Sequence, residues 1–204
     1  MGRFFSGPEP TVRLRLVGAA RGEGRRHRTR GGTVGDSVGE AEQRYPLRDE
    51  AGQDWIQWWH RADRPAPEGT RHGSSAICFT DDGRIVLVAQ PDAPWEFPGG
   101  RPEGDEDWRA TLEREVLEEA CAVVESATLL GFARARCSRG PEAGLVLVRA
   151  LWSADVSLNP WERRHETAAR MLVRPEEALG KEKRGYNGLT RRWFREALAS
   201  RGLR

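Results

Sequence analysis

Glu115, Glu118 and Glu119 stand at spacing i, i+3 and i+4. On an α-helix those positions share one face. Three carboxylates side by side repel one another, and without a cation at least one is pushed toward its protonated form. A hard divalent ion removes that cost, and oxygen ligands suit Mg²⁺ or Mn²⁺. Arg114 sits directly before Glu115 and can hold a nearby carboxylate at two points, with Glu106, two turns earlier, as its natural partner. Upstream, Gly99-Gly100 lets backbone approach a metal or phosphate closely, and Pro98 stiffens the entry. Mg²⁺ held by a few carboxylates is the usual partner of substrate phosphates. It polarises a phosphoryl oxygen and lowers the pKa of a bound water. The chemistry favoured is attack of water on a phosphate or pyrophosphate. A solvated acidic helix face in an unrelated protein is the plain alternative.

These residues need a helix and a turn to hold them. The spacing predicts a helix over about Glu106–Cys121, with Asp105, Glu106 and Asp107 where the helix dipole favours negative charge. Ala110, Val116, Leu117 and Ala120 are expected on the core side. Before it, the apolar runs Ser75–Thr80 and Arg84–Gln90 flank Asp82-Gly83 and read as a hairpin. After it, strands are expected near Ala127–Cys137, Gly144–Ala154 and Ala168–Val173. A short helix follows from Pro175 through Leu179, then a last helix over Asn187–Ser200 with Leu189, Trp193, Phe194 and Leu198 inward. Trp55, Trp58, Trp59 and Ala62 fall at helical spacing, so Arg48–Ala62 is read as an amphipathic helix ended by Arg64-Pro65. Strands interleaved with helices mean a three-layer α/β arrangement.

The stretch Gly100, Glu106, Arg114-Glu115-Val116-Leu117-Glu118-Glu119 resembles the signature of the Nudix hydrolase superfamily. The resemblance covers about residues 70–180. Every fixed charged or glycine position from Gly100 to Glu119 matches, but Cys121 stands where the family has Gly. That Gly closes the helix in a left-handed conformation, which costs a cysteine about 1 kcal/mol, so the helix is expected to run on slightly instead. The resemblance implies an α/β/α sandwich with a mixed β-sheet. It implies hydrolysis of a nucleoside diphosphate linked to a moiety X, such as a triphosphate, nucleotide sugar or dinucleotide, with Mg²⁺ or Mn²⁺. Carried over by position, Glu115, Glu118, Glu119 and the Gly99 carbonyl would bind metal. Glu115 could instead serve as base, Arg114 would orient it, and Glu106 would hold Arg114. Many members use a later Glu, for which Glu166 is the first candidate and Glu162 the second. Gly100 and Trp95 are candidate substrate contacts, and Phe132 and Trp152 are stacking candidates that suit the core better.

Composition sets the outer limits. The chain has 204 residues, 33 of them basic and 31 acidic. That balance excludes a chain built mainly to coat nucleic acid. No apolar run reaches membrane-spanning length. Cys78, Cys121 and Cys137 are an odd number without a CxxC pair, which fits a reducing, cytoplasmic setting. Residues 1–45 are rich in Gly and Arg and read as a disordered tail, leaving 46–204 as the domain. The expected partner is a nucleotide-derived small molecule. Dimerisation is common in the resembled family, and the Trp55/Trp58/Trp59 stripe could serve it or cover the sheet. The competing function is a nucleotide-binding sensor of the same fold without turnover. An intact Arg114-Glu115 and Glu118-Glu119 argues against it.

Overall fold

Burial alternates strictly along strand β2 (Arg44–Asp49): Tyr45, Leu47 and Asp49 point inward and Arg44, Pro46 and Arg48 outward. This period of two marks a half-buried strand. A turn follows, closed by Gly52 at φ 77° and by hydrogen bonds between Asp49 and Gln53 in both chain directions. Strand β3 (Asp54–Arg61) then returns antiparallel to β2. The helix expected over Arg48–Ala62 is therefore a hairpin. Its tryptophans misled because both faces of β3 carry apolar side chains. Trp55 and Trp59 lie on one face and Trp58 on the other, and a strand apolar on both sides loses its alternation. Asp49 anchors the turn, accepting from the Gln53 backbone N–H at 2.8 Å and from Trp55 Nε1 at 2.9 Å.

The computed structural model describes residues 16–17, 43–163, 167–181 and 188–203. Strand β1 (Leu16–Val17) pairs with β2, so a short piece of the first 45 residues joins the sheet. The later strands are β4 (Thr70–Phe79), β5 (Ile85–Ala89), β6 (Gly99–Gly100), β7 (Ala122–Arg139), β8 (Val146–Leu158) and β9 (Ala169–Val173). They form one sheet in the order β1-β2-β3-β7-β8-β4-β5-β9, with β6 also on β4. The β4–β8 pair is parallel and the other pairs are antiparallel, so the sheet is mixed.

Helix α1 (Trp108–Ala120) covers one face and α2 (Pro175–Lys181) with α3 (Gly188–Ala199) the other. On the first face Leu112, Val116 and Ala120, spaced by four, press on Ala76, Cys78, Val86 and Val148. Each fully buried Leu or Val contributes about 1.5–3 kcal/mol. Of the side chains expected inward from α1, Ala110 and Leu117 are exposed. Leu117 lies one residue, about 100°, off the stripe that Val116 defines. On the second face Leu189, Trp193 and Phe194 of α3 pack on Ile77, Phe79, Leu87 and Phe97. The architecture is the α/β/α sandwich the sequence implied. Phe132 and Trp152 belong to its core, Phe132 edge-on to Trp108.

Candidate active site

Asp107 sets where α1 begins. It is the N-cap, with its carboxylate accepting from the backbone N–H groups of Arg109 and Ala110 at 2.8 Å. The helix thus starts at Trp108, two residues later than expected. It ends at Ala120, because Cys121 adopts φ 46° and ψ 50°. The expected overrun does not occur: the cysteine takes the left-handed conformation usual for glycine there. Its surroundings hold it. Arg170 Nη1 donates to the carbonyls of Ala120 at 2.7 Å, Cys121 at 3.1 Å and Asn159 at 3.2 Å. The Cys121 thiol donates to the Glu162 carbonyl at 3.2 Å, so α1 is clamped to the segment after β8.

Before the helix, β6 lays Gly99 and Gly100 against Ser75 and Ser74 of β4. A Cβ at Gly73 would overlap the Gly100 carbonyl, and one at Gly100 would sit 2.0 Å from Glu115 Oε1. Glycine at both positions therefore lets the turn come down onto the helix. The Gly99 N–H donates to Glu119 Oε2 at 2.9 Å.

Arg114 ties the acidic residues together. It grips Glu106 at two points, Nε to Oε1 at 2.8 Å and Nη2 to Oε2 at 3.0 Å. Nη1 lies 3.2 Å from Glu115 Oε1 and 3.1 Å from Glu118 Oε2, and Nη2 also donates to the Arg101 carbonyl at 2.7 Å. The guanidinium holds the Glu106 carboxyl down at about 2. Glu115 and Glu119 shift the other way. Burial raises both, outweighing the Arg114 guanidinium at Glu115 and the Gly99 N–H at Glu119, which reaches about 8. The neighbouring Glu115 and Glu96 charges add to the rise at Glu119.

Among the described residues no three of His, Cys, Asp or Glu converge on one point as they stand, since Glu118 is turned to Arg114 and Glu119 to Gly99. The donor chemistry nevertheless fits a hard cation. Two carboxylates disfavour their charge through burial, all the donors are oxygens, and the Gly99-Gly100 cradle excludes any side chain from beside Glu115.

Sequence reasoning passed over two residues that the fold brings here. Arg149 of β8 donates from Nη1 to Ser75 Oγ at 2.6 Å, and it feels the charges of Glu115, Glu96, Glu119 and Arg101. His72 is the extra residue where the β4–β8 register slips between Arg71 and Gly73. Burial, with Arg149 and Arg101 nearby, lowers its imidazole to about 3 and keeps it neutral. A lone arginine inside the apolar run Leu145–Leu151 was the available signal for Arg149. Trp95, half-buried before β6, packs on the α3-side core. Glu166 lies outside the described residues, as does His165, while Glu162 is exposed beside the Cys121 thiol.

A sandwich that sets a Gly-Gly turn against an Arg–Glu-bearing helix defines the Nudix class of hydrolase folds. The NUDIX domain family model matches residues 69–195, and the chain belongs to that family. Solved structures agree on the fold. A pyrophosphohydrolase of Bacillus subtilis, BsRppH, is 24% identical over 76% of this chain and 97% of its own, with a TM-score of 0.60. A NUDIX hydrolase from Nitrosomonas europaea is 21% identical over 65% and 90%, with a TM-score of 0.53. The NUDIX domain of Shewanella oneidensis NrtR, solved with ADP ribose, is 19% identical over 65% and 90%, with a TM-score of 0.50. No curated protein matches the chain.

Proposed function

We propose that the chain is a Mg²⁺- or Mn²⁺-dependent pyrophosphohydrolase. Its substrate is a nucleoside diphosphate linked to a second moiety, and water attacks phosphorus. The observation that carries this reading is the pair of burial-shifted carboxylates, Glu115 and Glu119, set beneath a Gly-Gly turn beside the Arg114 cluster. Glu115, Glu118, Glu119 and the Gly99 carbonyl would hold the ion. When bound, it supplies a Lewis acid for a phosphoryl oxygen. Arg114 fixes Glu115 and Glu118 in orientation, and Glu106 fixes Arg114. A carboxylate, Glu115 or Glu166, accepts a proton from the attacking water. The water oxygen bonds to phosphorus, the anhydride P–O bond breaks, and the departing phosphate oxygen keeps the electron pair. Gly100 and Trp95 are the proposed substrate contacts.

Three free, buried cysteines support a reducing, cytoplasmic setting. Among the described residues no helix is long and apolar enough to cross a membrane.

The test is product release from a panel of nucleoside triphosphates, nucleotide sugars and dinucleotides, with Mg²⁺ and Mn²⁺. Wild type is run beside Glu115→Gln and Glu118→Gln. Metal-requiring turnover that collapses in both variants supports the hydrolase, and the best substrate names the second moiety. Tight nucleotide binding without turnover on any substrate would favour a sensor of the same fold.

A further inference from the structure

Arg149 is held near the acidic residues and, among the described residues, is paired to none of them. Alternation along β8 puts Val148, Ala150 and Trp152 on the α1 side of the sheet and Leu151 on the α3 side, so Arg149 shares the α3 side with Leu151. Its register neighbours there are Gly73 on β4 and Ala133 on β7, both too small to cover a guanidinium. The bond to Ser75 Oγ fixes the head group next to the strand residue that pairs with Gly99. Among the described residues that is the hydrogen bond Arg149 makes, out of five N–H donors, and it forms no ion pair there. The side chain is half-buried.

Charge then decides what this position suits. Glu115, Glu96 and Glu119 act on it as anions and Arg101 as a cation. With a divalent ion held by the carboxylates, their charge would no longer compensate Arg149, which lies beside the strand pair that carries Gly99. A half-buried guanidinium with donors to spare and its neighbouring carboxylates taken up by a cation is stabilised by a further anion within its reach. The neutral His72 cannot supply that anion, and Ser75 is uncharged. A phosphate chain can, because its tetrahedral oxygens accept the guanidinium fork on one side and metal on the other.

We propose that Arg149 is a substrate-phosphate contact, anchored by Ser75, that grips the non-bridging oxygens of the pyrophosphate group opposite the carboxylates. This rests on the hydrolase reading above and adds to it a residue outside the signature helix.

The test uses the full chain, as wild type, Arg149→Gln and Arg149→Lys. Inorganic pyrophosphate is titrated calorimetrically in the presence of Mg²⁺, and Mn²⁺ affinity is measured separately from the free-ion electron paramagnetic resonance signal. KM and kcat follow on the best substrate. Arg149→Gln is expected to weaken pyrophosphate at least about tenfold and to raise KM, whereas Mn²⁺ affinity holds or improves because a like charge is gone. Arg149→Lys is expected to recover part of the affinity, since it keeps the charge and loses the fork. If Arg149→Gln does not fold, the partial loss in Arg149→Lys carries the test. Unchanged pyrophosphate affinity in a folded variant would overturn the contact. So would Mn²⁺ and pyrophosphate affinity falling together, since Arg149 would then only shape the metal site. Wild type that hydrolyses the panel while both Arg149 variants match it in KM removes the contact and leaves the hydrolase reading standing. Wild type that binds neither Mn²⁺ nor pyrophosphate removes both.

Discussion

Glu106 and Glu119 flank the same turn-and-helix unit, yet their carboxyls shift in opposite directions, down to about 2 and up to about 8. Glu106 has the Arg114 fork at 2.8 and 3.0 Å. Glu119 has one backbone N–H and is surrounded by protein. One end of the acidic unit is thus a completed ion pair, and the other is a carboxyl whose charged form the protein alone does not compensate. The first is architecture. The second is where an external cation would stabilise the fold most, which is why the proposed metal assignment rests on Glu115 and Glu119 more than on the number of acidic residues.

The largest effect should come from disturbing the uncompensated end. Glu119→Gln or Glu118→Gln is expected to lower metal-dependent turnover at least about 100-fold, beyond the range seen when only a supporting group is lost. Without metal, Glu119→Gln should fold at least as well as wild type, because it removes a carboxyl whose charged form burial penalises. Activity measured beside thermal melts checks both halves of that expectation.

Arg114→Gln would erase the comparison itself. It leaves Glu106, Glu115 and Glu118 without their shared cation, in a cluster whose arginine side chain is 19% exposed. The expected loss is about 2–3 kcal/mol, below the fully buried limit, read from denaturant unfolding. Glu106→Gln alone should cost about 1 kcal/mol, since Arg114 keeps its other partners.

The pH dependence sharpens the contrast. Folded, Glu119 keeps its proton up to about pH 8, whereas the unfolded chain releases it near 4.5. The folded state binds more protons across that window, so metal-free stability should fall as pH rises from about 4.5 to about 8. Glu119→Gln should flatten that slope, and added Mg²⁺ should oppose it increasingly as pH rises. Melting curves across the window, with and without Mg²⁺, test this.

The smallest effect is expected at Cys121→Gly. Relief of the left-handed strain, about 1 kcal/mol, is offset by lost burial and by the greater unfolded freedom of glycine. The net change should stay within about 1 kcal/mol by denaturant unfolding.

Much of this arrangement was legible in the sequence because it is local. The helix bearing Glu115, Glu118 and Glu119, the Asp82-Gly83 hairpin, and the inward stripe of Leu189, Trp193 and Phe194 are written in spacings of two to four residues. The parts that were missed depend on partners far along the chain. Trp55, Trp58 and Trp59 look helical until β2 and β7 pair on either side of β3. Cys121 takes the glycine conformation because Arg170, 49 residues later, satisfies its carbonyl. Arg149 reaches the site only because β8 runs parallel to β4 and sets it opposite Gly73.

The most direct test of the central claim is Mn²⁺ titration at pH 8, followed by electron paramagnetic resonance, on wild type, Glu119→Gln and Glu106→Gln. The account predicts binding in wild type, most of it retained in Glu106→Gln and lost in Glu119→Gln. Equal Mn²⁺ affinity in wild type and Glu119→Gln would contradict it, because the buried carboxylate would then have no part in holding the ion.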